Sequence, residues 1–262
     1  MPSLLLQPRH RALRPAALAL LPALLGAGAA DACTLPGFQP AALSVAEVTP
    51  QGDLRLGDGG LARLAGVRLG AGEAGDLSRA LAAMPAPALW LDPLAAPDRW
   101  GRRAVALGSH QQGSATALTE FLLTKGVGLT FVAELPQDCR VLFLRAEARA
   151  RGEGLGRWAR PEGRLLDAAD GAAVAAAAGT FAVMAGRVSH VGQTRRAVYL
   201  NFGPRGRGAS VELTLSAWRE LEARGWTRTR LRGQNIRARG VVFEASPARM
   251  LVEAAAAIET DD

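Results

Sequence analysis

Histidine is scarce in this chain: His10, His110 and His190 are its only three, too scattered to form a zinc cluster or a histidine-centred triad. No phosphate loop and no dinucleotide-binding glycine fingerprint occurs, so the sequence carries no signature of either chemistry. A single lysine, Lys125, stands among 31 basic residues, so almost all the positive charge is guanidinium. After residue 30 no second long apolar run follows, and no transmembrane anchor is expected in the mature chain.

What is there begins with an export signal. Arg9, Arg11 and Arg14 precede Ala16 to Ala30, an uncharged run of fifteen residues that is too short to span a bilayer. Ala30 and Ala32 supply the small side chains read by a signal peptidase, which places cleavage before Cys33 and assigns 1–32 to a signal peptide. The expected location is periplasmic or secreted. Lipidation of Cys33 is an alternative, although Ala30-Asp31-Ala32-Cys33 lacks the leucine usual three places before the cysteine. The mature chain retains two cysteines, Cys33 and Cys139, and an oxidising compartment favours joining them; two unpaired thiols are the other possibility.

Charge is unevenly placed. From Gly179 to Asp262 there are 13 arginines against 8 acids, whereas the preceding mature segment balances at 15 of each sign. A basic C-terminal part suits contact with a polyanion, and it also suits a merely arginine-rich composition.

Two strand series are separated by an alanine-rich stretch. In the first, Leu43–Val48, Asp53–Gly57, Leu61–Val67, Ala88–Leu91 and Arg102–Leu107 read as strands, and Leu77–Met84, Ala115–Lys125 and Cys139–Arg151 as helices. Residues 161–178 show no large apolar face and read as a linker. Strands are then expected at Phe181–Val188, Arg196–Phe202, Ala209–Leu215, Asn235–Val242 and Met250–Val252, with a helix at Ala217–Arg224 capped by Ser216. The expected class is mainly β with α additions (α+β), as two OB-fold-type five-stranded barrels in tandem, 33–160 and 179–262.

Val45 to Val67, with Leu54-Arg-Leu-Gly-Asp-Gly and then Arg63-Leu-Ala-Gly-Val, resembles the opening hairpins of staphylococcal-nuclease-like (thermonuclease) domains. Asp98-Arg-Trp-Gly-Arg-Arg-Ala-Val-Ala resembles that family's "D-x-Y-G-R-x-x-A" strand. Glu147-Ala-Arg-Ala-Arg followed by Gly154-Leu-Gly-Arg-Trp158 resembles its closing helix and tail. The resemblance implies a phosphodiester hydrolase in which aspartates hold Ca²⁺, a glutamate acts on the attacking water and two arginines neutralise the phosphate. Those arginines correspond to Arg63 and Arg102.

The carboxylates do not follow the pattern. An ungapped alignment puts Gly52 on the first metal-binding aspartate, and a one-residue slip would make Asp53 that ligand instead. Arg68 and Ala71 take the places of the second aspartate and the glutamate. A guanidinium at a ligand position opposes a cation that needs oxygen donors. If Arg68 filled the first arginine role, Glu73 and Asp76 would fall at the required offsets; the other reading has them opening the helix at Leu77, where acids favour the dipole.

From Gly186-Arg-Val to Asn201-Phe-Gly, the C-terminal part resembles a second OB domain appended to some thermonuclease-like proteins, without a catalytic motif. Arg195, Arg196, Tyr199, Phe202, Arg205 and Arg207 are its candidate nucleic-acid contacts, because aromatics and arginines on such a face stack bases and hold phosphates. Tyr199 and Phe202 are oddly spaced on one strand, so only one of them can face solvent. The leading expectation is an exported thermonuclease-type protein that binds nucleic acid or another polyanion with little or no catalysis and no cofactor. The alternatives are an active, Ca²⁺-dependent phosphodiesterase using Glu73 and Asp76, and an envelope module that recognises a protein.

Overall fold

The computed structural model describes residues 33–84, 86–109, 115–204 and 207–260; the expected signal peptide 1–32 and Arg205 lie outside them. The chain is α+β. Its first half carries β1 (Gln39–Ala41), β2 (Val45–Val48), β3 (Leu54–Leu56), β4 (Leu61–Leu64), β5 (Val67–Arg68), α1 (Ala74–Ala82), β6 (Pro87–Leu91), β7 (Arg102–Ser109), α2 (Ala117–Thr124), β8 (Leu129–Thr130) and α3 (Gln137–Gly152). The second half carries β9 (Leu166–Asp167), α4 (Gly171–Ala176), β10 (Phe181–Gln193), β11 (Ala197–Phe202), β12 (Ser210–Thr214), α5 (Leu215–Ala223), α6 (Arg228–Leu231), β13 (Asn235–Ala245), β14 (Ala248–Val252) and β15 (Ile258–Thr260).

The first sheet runs β1-β6-β7-β4-β3-β2 and curls into a half-barrel. Its pairs are antiparallel except β4–β7, which are parallel with Arg63 opposite Ala104. Period-two alternation gives it one apolar inner face: Leu54, Leu56, Ala62 and Leu64 point inward onto Leu77, Leu118, Leu122 and Phe143 from the three helices. The second sheet closes. β10-β11-β12-β14-β13 forms a five-stranded barrel because β13 returns to pair with β10 from Phe181↔Val241 to Arg187↔Asn235. Its core holds Met184, Val198, Leu200, Val211, Leu213, Val242 and Met250. The half-barrel thus contains one parallel pair, β4–β7, and the closed barrel one, β12–β14, each flanked by antiparallel neighbours.

Residues 161–178, expected as a linker, are folded onto the barrel. Leu166 and Asp167 pair in parallel with Met184 and Ala185, and Asp170 caps α4 by accepting from the Ala172 and Ala173 amides. Ala168 and Val174 are fully buried, so small side chains supply the apolar surface that the composition did not suggest. The cap of α5 is Thr214, whose hydroxyl accepts from the Ala217 amide, and Ser216 lies inside the helix.

A disulfide joins Cys33 to Cys139, closing 106 residues and tying the start of the described chain to α3. Among the described residues no helix is long and apolar enough to cross a membrane.

The two sheets meet around one buried cation. Arg239 on β13 donates from Nη1 to Glu147 Oε2 of α3 at 3.0 Å and to the Thr130 carbonyl of β8 at 3.2 Å. Its Nε donates to Glu259 Oε1 of β15 at 3.1 Å. Glu147 also accepts from the Thr130 amide at 2.7 Å, and the Arg239 and Glu147 side chains are each 1% exposed. Burial would raise the Glu147 carboxyl, but Arg239 and the hydrogen bonds from Thr130 together hold the group below the ordinary carboxylate value. Removing one partner of such a pair leaves a buried charge uncompensated. Arg239→Met is therefore expected to cost about 3–5 kcal/mol in urea unfolding, and adding Glu147→Leu with Glu259→Leu to recover most of that. A single-variant loss below about 1 kcal/mol would contradict this account.

Candidate functional site

β4 and β7 lie side by side, and this adjacency brings Arg63 and Arg102 to one shallow pocket of about 70 Å³, also lined by Gly52, Asp53, Arg68 and Leu69. Asp53 and both predicted arginines are thus assembled in one place. Glu73 and Asp76 do not line this pocket. Glu73 is 4% exposed and its carboxylate accepts from the Gly70 and Gly128 amides and faces Arg157 at 3.4 Å. Asp76, half-buried in the first turn of α1, pairs with Arg79. Both acids thus serve the start of α1 and its surroundings.

Both arginines are already paired with carboxylates. Glu134 takes Arg63 in a bidentate pair, with Nη1–Oε1 at 2.9 Å and Nη2–Oε2 at 2.7 Å. Glu134 Oε1 also accepts from the Gly66 amide at 2.8 Å, so its orientation is set by backbone as well. Asp98 Oδ2 receives Arg102 Nε at 3.0 Å and stands 3.6 Å from Arg63 Nε. Asp53 Oδ1 takes Arg102 Nη1 at 3.0 Å. Two cations are therefore matched by three carboxylates.

Asp98 and Glu134 were not anticipated. Asp98 could have been found, since it opens an Asp-x-Trp-Gly turn in which its Oδ1 accepts from the Trp100 and Arg102 amides at 3.0 Å. Glu134 lies 71 residues from Arg63 and leaves no local signal. Desolvation would raise the Asp98 carboxyl; the Arg102 side chain and the two amides prevail and hold it below the ordinary value.

Arg68 is different. Its guanidinium lies 3.6 Å from the centroid of the Phe131 ring, with no ion-pair partner among the described residues. Burial first, and then repulsion from Arg63, push it down to about 10, so it remains charged at neutral pH. Gly52 has φ +83° and a Cβ there would meet Leu69 Cδ1 at 2.8 Å, so an aspartate is strained at that position. The donors do not fit Ca²⁺: Arg68 puts a cation in the pocket, Gly52 is conformationally constrained, and the nearby carboxylates are engaged by arginines. Among the described residues no group of three metal-ligating side chains converges.

In the second barrel, Tyr199 is half-buried on the outer side of β11, and Phe202 is 3% exposed within the core. Phe202 is thereby removed from the stacking candidates. Arg195 and Arg196 are exposed on the β10–β11 turn and Arg207 on the β11–β12 connection, with no ion-pair partner among the described residues.

No protein-family model matches this chain, and no curated protein matches it.

The Asp98 pairing gives a pH signature. A carboxyl held below its unfolded value contributes stability that is fully present above pH 3.8 and is lost as pH falls through the folded-state value. Asp98→Asn is expected to lower unfolding free energy by about 1–2 kcal/mol at pH 7, with the gap to the parent narrowing below pH 3.8. A pH-independent gap in denaturant melts would show that the charge is not what matters.

Proposed function

We propose that the chain is an exported, noncatalytic relative of thermonuclease-type proteins that binds a polyanion, with single-stranded nucleic acid as the best chemical fit, through its second barrel. One observation carries the reading: Arg63 and Arg102 are consumed by Glu134, Asp98 and Asp53, while Arg195, Arg196 and Arg207 stand exposed at the two ends of β11. The strand order supports an OB-type assignment for both sheets, in which three antiparallel strands are followed by a fifth that pairs in parallel with the third. In folds of that type, the face of the second and third strands and the adjoining loops receive oligonucleotides. Here that face is β11 and β12. Tyr199 offers a ring between the two arginine groups, suited to base stacking.

Hydrolysis asks for more than binding. A phosphate held by guanidinium groups gains no rate unless the transition state is stabilised more than the ground state. The usual contributors are a metal and a positioned base. Arg68 and Ala71 supply neither, and Glu73 is occupied by backbone amides and Arg157.

Fluorescence anisotropy with a labelled oligonucleotide over a salt series tests the proposal. With three arginine–phosphate contacts, the slope of log affinity against log salt should be about −2 for a single strand, and Arg195→Gln with Arg196→Gln should shrink it by about 1.4. Ca²⁺ should not stimulate cleavage of single-stranded or duplex DNA. Ca²⁺-dependent cleavage abolished by Glu73→Gln would overturn the noncatalytic reading, and unchanged binding by the double arginine variant would overturn the surface.

A further inference from the structure

A cavity of about 400 Å³ lies away from both sites already described, between the end of the first half and the start of the closed barrel. Its position depends on a glycine pair. The Arg157 amide donates to the Gly126 carbonyl at 2.9 Å, and a Cβ on Gly156 would meet that same oxygen at 2.4 Å. Only this close backbone crossing lays the segment 156–159 beside β8, where it presents Arg157 and Trp158 to the space.

The walls are of two kinds. Leu129, Phe181 and Val183 form an apolar side, and α4 adds Ala173 and Ala176, whose short side chains leave the volume open. Arg157, Arg160 and Arg164 supply three guanidinium groups at the other side, against one lining carboxylate among the described side chains, Glu73. Glu73 is already held by two backbone amides, and its distance to Arg157 is 3.4 Å, so it compensates only one of the three cations. Arg160 and Arg164 are exposed and have no ion-pair partner among the described residues.

An apolar chamber whose charged side carries an excess of arginine selects an amphipathic anion. We infer that this cavity binds a small monocarboxylate with an aliphatic tail, the tail against Phe181, Val183 and Leu129 and the carboxylate held by Arg160 and Arg164. The volume falls within the ordinary range for small-molecule sites, about 300–1,000 Å³. At about 30 Å³ for each water-sized group, it accommodates on the order of a dozen heavy atoms, which a chain of about eight carbons with its carboxylate satisfies. The tail gains from leaving water, at about 0.8 kcal/mol for each buried CH₂, while planar guanidinium forks match a carboxylate in geometry. Neither the β11–β12 face nor the Arg63–Arg102 cluster contributes to this site, so it stands or falls apart from polyanion binding.

Isothermal titration of the full protein with sodium octanoate, octanol and octylamine is the test. Octanoate should bind with one site per chain, octanol should bind at least about tenfold more weakly, and octylamine should give no saturable heat. Arg160→Gln with Arg164→Gln, both at exposed positions, should weaken octanoate about tenfold and leave octanol unchanged. Ala173→Trp, which fills the chamber, should abolish binding of both; should that variant fail to fold, the arginine pair decides. Octylamine or octanol binding as tightly as octanoate, octanoate affinity indifferent to loss of the two arginines, or no saturable octanoate binding would each overturn the inference.

Discussion

One guanidinium holds the two halves of this protein to each other. Arg239 is a fully buried cation answered by two carboxylates from different elements and by a backbone carbonyl. Desolvating such a charge costs several kcal/mol, and only near-complete hydrogen bonding offsets it. The geometry is correspondingly demanding: Thr130 must bring both its amide to Glu147 and its carbonyl to Arg239. This fixes β8 against α3 and both against β13. The apolar cluster of Leu129, Ala150, Trp158 and Val183 surrounds the same junction, and Val132 enters the core of the closed barrel itself. The ion cluster sets the register of that contact; the apolar side chains supply the larger part of its area.

The cluster of Arg63 and Arg102 obeys a similar rule near the surface. Two guanidinium groups fixed on neighbouring strands repel one another and must be neutralised, either by a bound anion or by acidic side chains. In this chain the second solution holds. Glu134 and Asp98 occupy the donors that a phosphate would use, and Arg68 turns onto Phe131, which forms an edge-to-face pair with Phe181 across the two halves. Residues whose types suggest phosphate chemistry thus act as ties between strands and turns.

Local patterns were legible in the sequence, and long-range pairings were not. Alternation placed most strands of both sheets, and the apolar face of α2 and the alanine- and arginine-rich composition of α3 located those helices to within two residues. The short segments β9, α6 and β15 escaped notice because each is four residues or fewer and owes its conformation to a partner strand or to packing. Alanine misled in residues 161–178, where Ala168 is buried by close approach of backbones rather than by side-chain size. At the candidate site, Arg63, Arg102 and Asp53 were readable from motifs. Their counter-charges were not, because an ion pair such as Arg63–Glu134 bridges 71 residues with no constraint on spacing. The spacing argument for Tyr199 and Phe202 was sufficient to require that one be buried, and packing decided that it was Phe202.

The placement of Cys139 has a mechanical meaning. It sits near the first turn of α3, and Glu147 lies eight positions later, about 12 Å along the same helix axis. Tension entering the chain at Cys33 passes through the disulfide into α3 and from there, through Glu147, to the closed barrel. β1 and β2, the two edges of the half-barrel, lie off that line of force. The half-barrel is thereby shielded from being peeled open strand by strand, and the helix acts as the stiff member that carries load between a covalent joint and an ionic one.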